Sequence, residues 1–183
     1  MQLHLERVCL MELPEVHDLF KQLSEHDKFT EWRNEHENSF LSHFFCALDE
    51  KYQAKGAWEV GFFDPDKDKI TVFVTSNLAA GNGPEIKQED EVFKKKQEVV
   101  QELNFDEVKI TYRQALENFK ENLNKTYPNL QLGDGFIVLQ KIDDKTLWNF
   151  TFITKTLQFV NIKIDTASGE VESHQIVELM DRN

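Results

Sequence analysis

Carboxylates alternate at Asp64, Asp66 and Asp68, a spacing that can converge on one cation as in the opening of a calcium loop. Such a loop needs glycine at its sixth position and glutamate at its twelfth, and here those positions hold Lys69 and Thr75. The run therefore reads as a solvated turn between two strands. His36 and His43, with Glu35 and Glu37 nearby, would share a face only if one helix ran through both. Asn38-Ser39 reads as a helix restart and HExxH is absent, so no zinc site is expected. His43 and Cys46 would be neighbours on one helix. The thiol, however, sits in Phe44-Phe45-Cys46-Ala47-Leu48, where burial raises its pKa and removes the thiolate. GxSxG does not occur, and Gly81-Asn82-Gly83 lacks the continuation of a dinucleotide loop. These readings predict no catalytic residue, no metal and no cofactor, hence a chain that is not an enzyme. Four residues remain as groove or surface candidates: Trp58, Trp148, His43 and His174. The tryptophans are large anchors whose default place is the core. His174 alternates with Glu172 as on one strand face.

The elements that must position these residues follow from composition and period. The 183 residues carry 33 acidic and 21 basic side chains, a net charge of −12, which repels a nucleic-acid backbone or an anionic membrane. The densest basic run, Lys94-Lys95-Lys96, adjoins Glu89, Asp90 and Glu91 and reads as a solvated face. Cys9 and Cys46 form no disulfide framework. The N-terminus lacks the pattern of a signal peptide, and no run approaches the ~20 apolar residues of a membrane span. A cytoplasmic location without nucleic-acid or membrane partners is the expectation.

Val16, Leu19, Phe20 and Leu23 trace one helical face after Pro14. A second helix is predicted from about Asp27 to Asn38, and a third from Ser39, with Phe40, Leu41, Phe44, Phe45 and Leu48 as a wide apolar stripe. At Gly56 the period changes. Trp58, Val60 and Phe62, then Ile70, Val72 and Val74, alternate as a hairpin with one buried face. Ala79-Ala80-Gly81-Asn82-Gly83-Pro84 reads as linker, and the pattern leaves 85–105 undecided. Thr111 and Gln114 have the spacing of a capping box, and Ala115, Leu116, Phe119 and Leu123 continue that helix to Tyr127-Pro128. Strands are predicted over Phe136–Ile142, around Trp148–Phe152 and over Val160–Ile164. A turn at Asp165–Gly169 follows, then a strand from Glu170-Val171, with the tail from His174 to Met180 open between strand and helix.

Ile110-Thr111-Tyr112-Arg113-Gln114-Ala115-Leu116, Tyr127-Pro128, Trp148–Phe152 and the closing Asp165-Thr166-Ala167-Ser168-Gly169-Glu170-Val171 resemble a PepSY-type domain, the family of peptidase propeptides and the YpeB spore protein. The resemblance spans 110–173. It implies a small non-catalytic module that binds or restrains a peptidase, and it carries no catalytic residues over.

The fold expected is α+β, helices packed on an antiparallel sheet, with residues 39–75 and 111–165 as candidate divergent helix-then-hairpin (PepSY/cystatin-like) units. The expected divisions are 1–80, an 81–109 linker or crossing segment, and 110–183, within one compact domain or separate. The function expected is binding or regulation of a protein or peptide, along the lines of a peptidase inhibitor, in an oligomeric state the sequence leaves open. The alternative is a ligand-binding or enzymatic protein with an aromatic pocket between helix and sheet.

Overall fold

The computed structural model describes residues 13–91 and 99–178. Cys9, the basic run at 94–96 and Met180 lie outside the described residues. Among those described, helices α1 (Val16–Ser24), α2 (Asp27–Glu35) and α3 (Tyr112–Thr126) pack on one side of an eight-stranded antiparallel sheet. The strands are β1 (Phe40–Leu48), β2 (Glu59–Asp64), β3 (Lys69–Val74), β4 (Glu85–Glu91), β5 (Leu132–Ile142), β6 (Lys145–Thr154), β7 (Gln158–Asp165) and β8 (Val171–Glu178). Their order in the sheet is β4-β3-β2-β1-β5-β6-β7-β8. Each half is thus a helical segment followed by a four-strand meander, and the two first strands, β1 and β5, meet antiparallel at the centre. This is the expected α+β class.

The local signals that hold are those with a stated mechanism. Thr111 and Gln114 form the capping box reciprocally at the start of α3, and Ala115, Phe119 and Leu123 are the face it buries. The Asp64–Asp68 run is a turn: the Asp64 carboxylate accepts from the backbone N–H groups of Asp66 and Lys67. Gly169 closes the β7–β8 turn at φ 77°, a conformation that costs glycine nothing.

Three expectations are corrected. No helix starts at Ser39: residues 40–48 form β1, a central strand hydrogen-bonded to β2 and β5. A central strand apolar on both faces has the same run of hydrophobic residues as a broad helical stripe, and its three phenylalanines favour the pleat. The N-terminal unit therefore does not begin at 39. Its helices lie upstream in α1 and α2, and its strands continue through β4. In β3 the faces are inverted. Thr71, Phe73 and Thr75 are buried, whereas Ile70, Val72 and Val74 lie on the other side, partly exposed. The described parts of the undecided stretches are β4, a 3-10 turn at Phe105–Glu107, and β8.

The core lies between the helices and the inner sheet face, and two tryptophans occupy its centre. Trp58 and Trp148 have no solvent exposure, and their rings stand 6.2 Å apart, with Tyr112 at 5.7 Å from the first and 6.2 Å from the second. The Trp58 indole N–H donates to the carbonyl of Pro14, two residues before α1, and that of Trp148 to the carbonyl of Ile110, two residues before α3. Each thereby ties a helix start to the sheet and satisfies a buried indole donor. The same bond recurring in both halves is the clearest mark of their common plan.

Candidate functional site

Strand alternation decides what the helix-free side of the sheet presents. Along β1, Phe44, Cys46 and Leu48 are fully buried beneath the helices, so Phe45 and Ala47 point to the opposite face, partly exposed. Along β5, Ile137 and Leu139 are buried inward, and Phe136 and Val138 point outward. Phe45 and Phe136 meet across the β1–β5 seam with ring centroids 5.6 Å apart. Val72 and Val74 lie on the same face of β3, separated from Phe45 by Gly61 and Glu59 of β2, and Phe40 packs on Phe63 at 5.4 Å. Over β6 and β7 the same face turns polar: Asn161 donates to Asn149 at 2.6 Å and to Thr151 at 2.8 Å. The open face is therefore apolar along the β1–β5 seam, crossed by the Glu59–Lys87 ion pair at 2.6 Å on its N-terminal half, and a ladder of amides and hydroxyls over β6 and β7.

Four residues were candidates for a groove or surface. Trp58 and Trp148 are corrected to core residues, because their indoles are the groups that join helices to sheet. His43 lies on the open face with its ring across Gly61, where any Cβ would stand 2.1 Å from the imidazole Cε1. The Ser42 hydroxyl donates to the Gly61 carbonyl at 3.0 Å and lies 2.9 Å from His43 Nδ1. With its proton so placed, that hydroxyl accepts from Nδ1–H and leaves Nε2 as the acceptor. Burial lowers the His43 pKa to about 4, against the opposing pull of Glu59. His174 sits on β8, and its Nδ1 is 2.9 Å from the Tyr127 hydroxyl at the end of α3. The structure brings only the tryptophans together; the two histidines stand apart from them and from each other.

Cys46 and His43 are not helical neighbours: on a strand they face opposite sides. Burial, reinforced by Glu59, pushes the Cys46 thiol up to about 12, which leaves no thiolate near neutrality. His36 stacks on Trp32 at 4.7 Å, and its Nδ1 lies 2.9 Å from the Trp32 carbonyl oxygen, which keeps it at the end of α2. Among the described residues no group of three or more His, Cys, Asp or Glu could hold a metal ion. No described helix is long and apolar enough to cross a membrane.

A cleft of about 860 Å³ opens on the helix side, between α1–α2 and the 101–107 crossing. Its floor is aromatic, with Phe20, Phe62 and Phe105, and its rim carries Arg33, Lys141 and Glu107. The sequence marks an aromatic helix–sheet pocket only as an alternative class. The residues that form this one, above all Arg33, had no motif to mark them.

No family model and no curated protein matches the chain. Among solved structures, a candidate lipoprotein of Clostridium difficile 630 superposes with a TM-score of 0.47 at 14% identity, over 82% of this chain and 90% of that one. A likeness that distant carries no argument about this chain.

Proposed function

We propose that this chain is a non-catalytic protein-binding module whose open sheet face receives a separate protein. The observation that carries the reading is the inverted pattern of β3 together with the Phe45–Phe136 pair: apolar side chains are directed away from the helices, where nothing in the described chain covers them. Partly exposed apolar side chains gathered on an open sheet face are what an interaction site presents. Eight strands about 4.8 Å apart make a face roughly 38 Å wide, enough for the ~800 Å² that each partner buries in a standard interface. Charge argues against a second copy, since two chains of −12 would be brought together. The fitting partner is a different protein with an apolar patch and a neutral or basic rim. The PepSY resemblance makes a peptidase the first partner to try, held without being cleaved.

A photo-reactive benzoylphenylalanine at position 136, irradiated in native extract, is expected to form one discrete heteromeric adduct. The same group at Glu121, exposed on the outer side of α3, is expected to form none. Phe45→Ala should weaken capture about tenfold or more, the order expected on truncating an aromatic anchor of an interface, measured at a temperature where both proteins are folded. Adducts of equal yield from 121 and 136, or a self-adduct alone, would contradict the reading.

A further inference from the structure

An open sheet leaves a row of backbone donors and acceptors unpaired at each end, and the C-terminal end of this one is unguarded. β8 pairs with β7 alone, in unbroken register from Gln158↔Glu178 to Lys163↔Ser173. Alternate N–H and C=O groups of 173–178 therefore point away from the sheet, and among the described residues no strand receives them. Ser173-His174-Gln175-Ile176-Val177-Glu178 contains no proline and no lysine, the residues that commonly blunt an edge. The one irregularity of β8 lies before this stretch, between Val171 and Ser173.

Side chains mark the same edge. Of the five large hydrophobics exposed among the described residues, three stand at this end: Ile153 at 38%, Leu157 at 52% and Val177 at 49%. Ile153, Phe159 and Val177 are cross-strand partners, one outward row that runs from β6 to the rim of β8. Leu157 tips the β6–β7 turn at φ 58°, where the Thr154 carbonyl and hydroxyl accept from the N–H groups of Leu157 and Gln158 at 3.0 Å each. An added strand would continue this row with an apolar side chain beside Val177. The neighbouring outward rows end at Gln175 and Ser173 and would be continued by polar ones.

Charge narrows the occupant further. β8 carries Glu172 and Glu178 and no lysine or arginine, with Glu170 just before it. Lys145 pairs with Glu172 at 2.6 Å, Lys163 lies one strand in beside Ser173, and His174 is 2.9 Å from the Tyr127 hydroxyl. Glu170 and Glu178 stay exposed at opposite ends of the strand. A second copy fits badly, because antiparallel self-pairing centred on Gln175 sets Glu172 opposite Glu178 at both ends.

We infer that β8 is a strand-addition site for an extended segment of another polypeptide, running antiparallel, apolar beside Ile176 and Val177 and basic at its ends. The main-chain ladder supplies the affinity, and the side-chain rows set the register. The site lies at the rim of the sheet, away from the β1–β5 seam, and stands whether or not the open face has a partner.

The probe is a capped peptide as long as β8, with valine at the two positions that meet Ile176 and Val177, threonine elsewhere and a lysine at each end. It is made as two isomers, each methylated on every second backbone nitrogen, so that each keeps one hydrogen-bonding edge. Titrated into the full chain and followed by amide shifts and hydrogen exchange, one isomer is expected to bind with a dissociation constant of about 100 μM. It should slow exchange at alternate residues of 173–178, and the other isomer should not bind. Glutamate in place of the terminal lysines should weaken binding about tenfold at low salt. Val177→Lys, at an exposed position, should also weaken it about tenfold, whereas Ile86→Lys on the opposite edge strand should leave it unchanged. Should Val177→Lys fail to fold, the comparison of isomers on the wild-type chain still decides. Binding by neither isomer overturns the proposal, as does equal binding by both, or shifts that map to β4. Protection of β8 that rises with the concentration of the chain alone would also overturn it, in favour of a second copy.

Discussion

Trp148→Ala is expected to lower stability by about 3–5 kcal/mol, the cost of deleting a large buried aromatic side chain. Trp148 is fully buried, it faces Trp58 and Tyr112, and its indole N–H is the donor to Ile110 at 3.3 Å. Truncation thus opens a cavity at the meeting point of the halves and leaves the carbonyl before α3 without that partner. Typical domains hold only about 5–15 kcal/mol in all, so the loss should consume a large share of the total. Urea unfolding followed by circular dichroism reads it as a lower midpoint with an unchanged slope. Trp148→Phe, which keeps a ring but not the donor, should fall between wild type and alanine. A loss under about 1 kcal/mol for the alanine variant would mean that the indole does not occupy the centre of the core.

The second large effect is a dependence on pH that belongs to His43. Burial lowers its folded-state pKa from 6.5 to about 4, with Glu59 opposing the shift. Between those values the unfolded chain binds a proton that the folded chain refuses. Stability contributed by the neutral imidazole is therefore complete above pH 6.5 and is lost as the pH falls towards 4. At about 1.4 kcal/mol per unit, acidification from pH 6.5 to 5 should cost about 2 kcal/mol from this residue alone. Carboxylates dominate at lower pH, so the comparison belongs between pH 7 and 5. His43→Gln should flatten that limb relative to wild type. Identical pH profiles for the two proteins would show that the imidazole stays solvated and titrates normally in the fold.

The elements legible in the sequence were those whose hydrogen bonds are local. The Thr111–Gln114 box fixed the start of α3 because its partners are three residues apart. Asp64 and Gly169 marked their turns for the same reason: a side chain bonding the next backbone groups, and a positive φ. β1 was not legible as a strand. Its identity depends on being flanked by β2 and β5, a fact of topology that periodicity does not contain when both faces are apolar. The face of β3 failed similarly, since Ile70, Val72 and Val74 outrank Thr71 and Thr75 in hydrophobicity, yet the threonines are the ones turned inward. The Thr75 hydroxyl donates to the Trp58 carbonyl at 2.8 Å, which lets a polar side chain occupy a buried position.

The candidate site was legible only in part. Large aromatics announced themselves, but their place, core for Trp58 and Trp148 and surface for Phe45 and Phe136, is set by register. The aromatic cleft depends on how α1, α2 and the 101–107 crossing stand around Phe20 and Phe105, an arrangement of distant segments that no motif marks.

Among the described residues, one face of a continuous sheet lies open while the other carries the helices. Solvent paramagnetic relaxation in NMR, with a neutral gadolinium chelate, tests that claim along two adjoining strands. Ring and methyl protons of Phe45, Phe136 and Val138 are predicted to relax strongly, and those of Phe44, Ile137 and Leu139 to be shielded, so that enhancement alternates residue by residue across the β1–β5 seam. Uniform shielding of both sets would contradict the account, because it would mean that the face assigned to a partner is already covered.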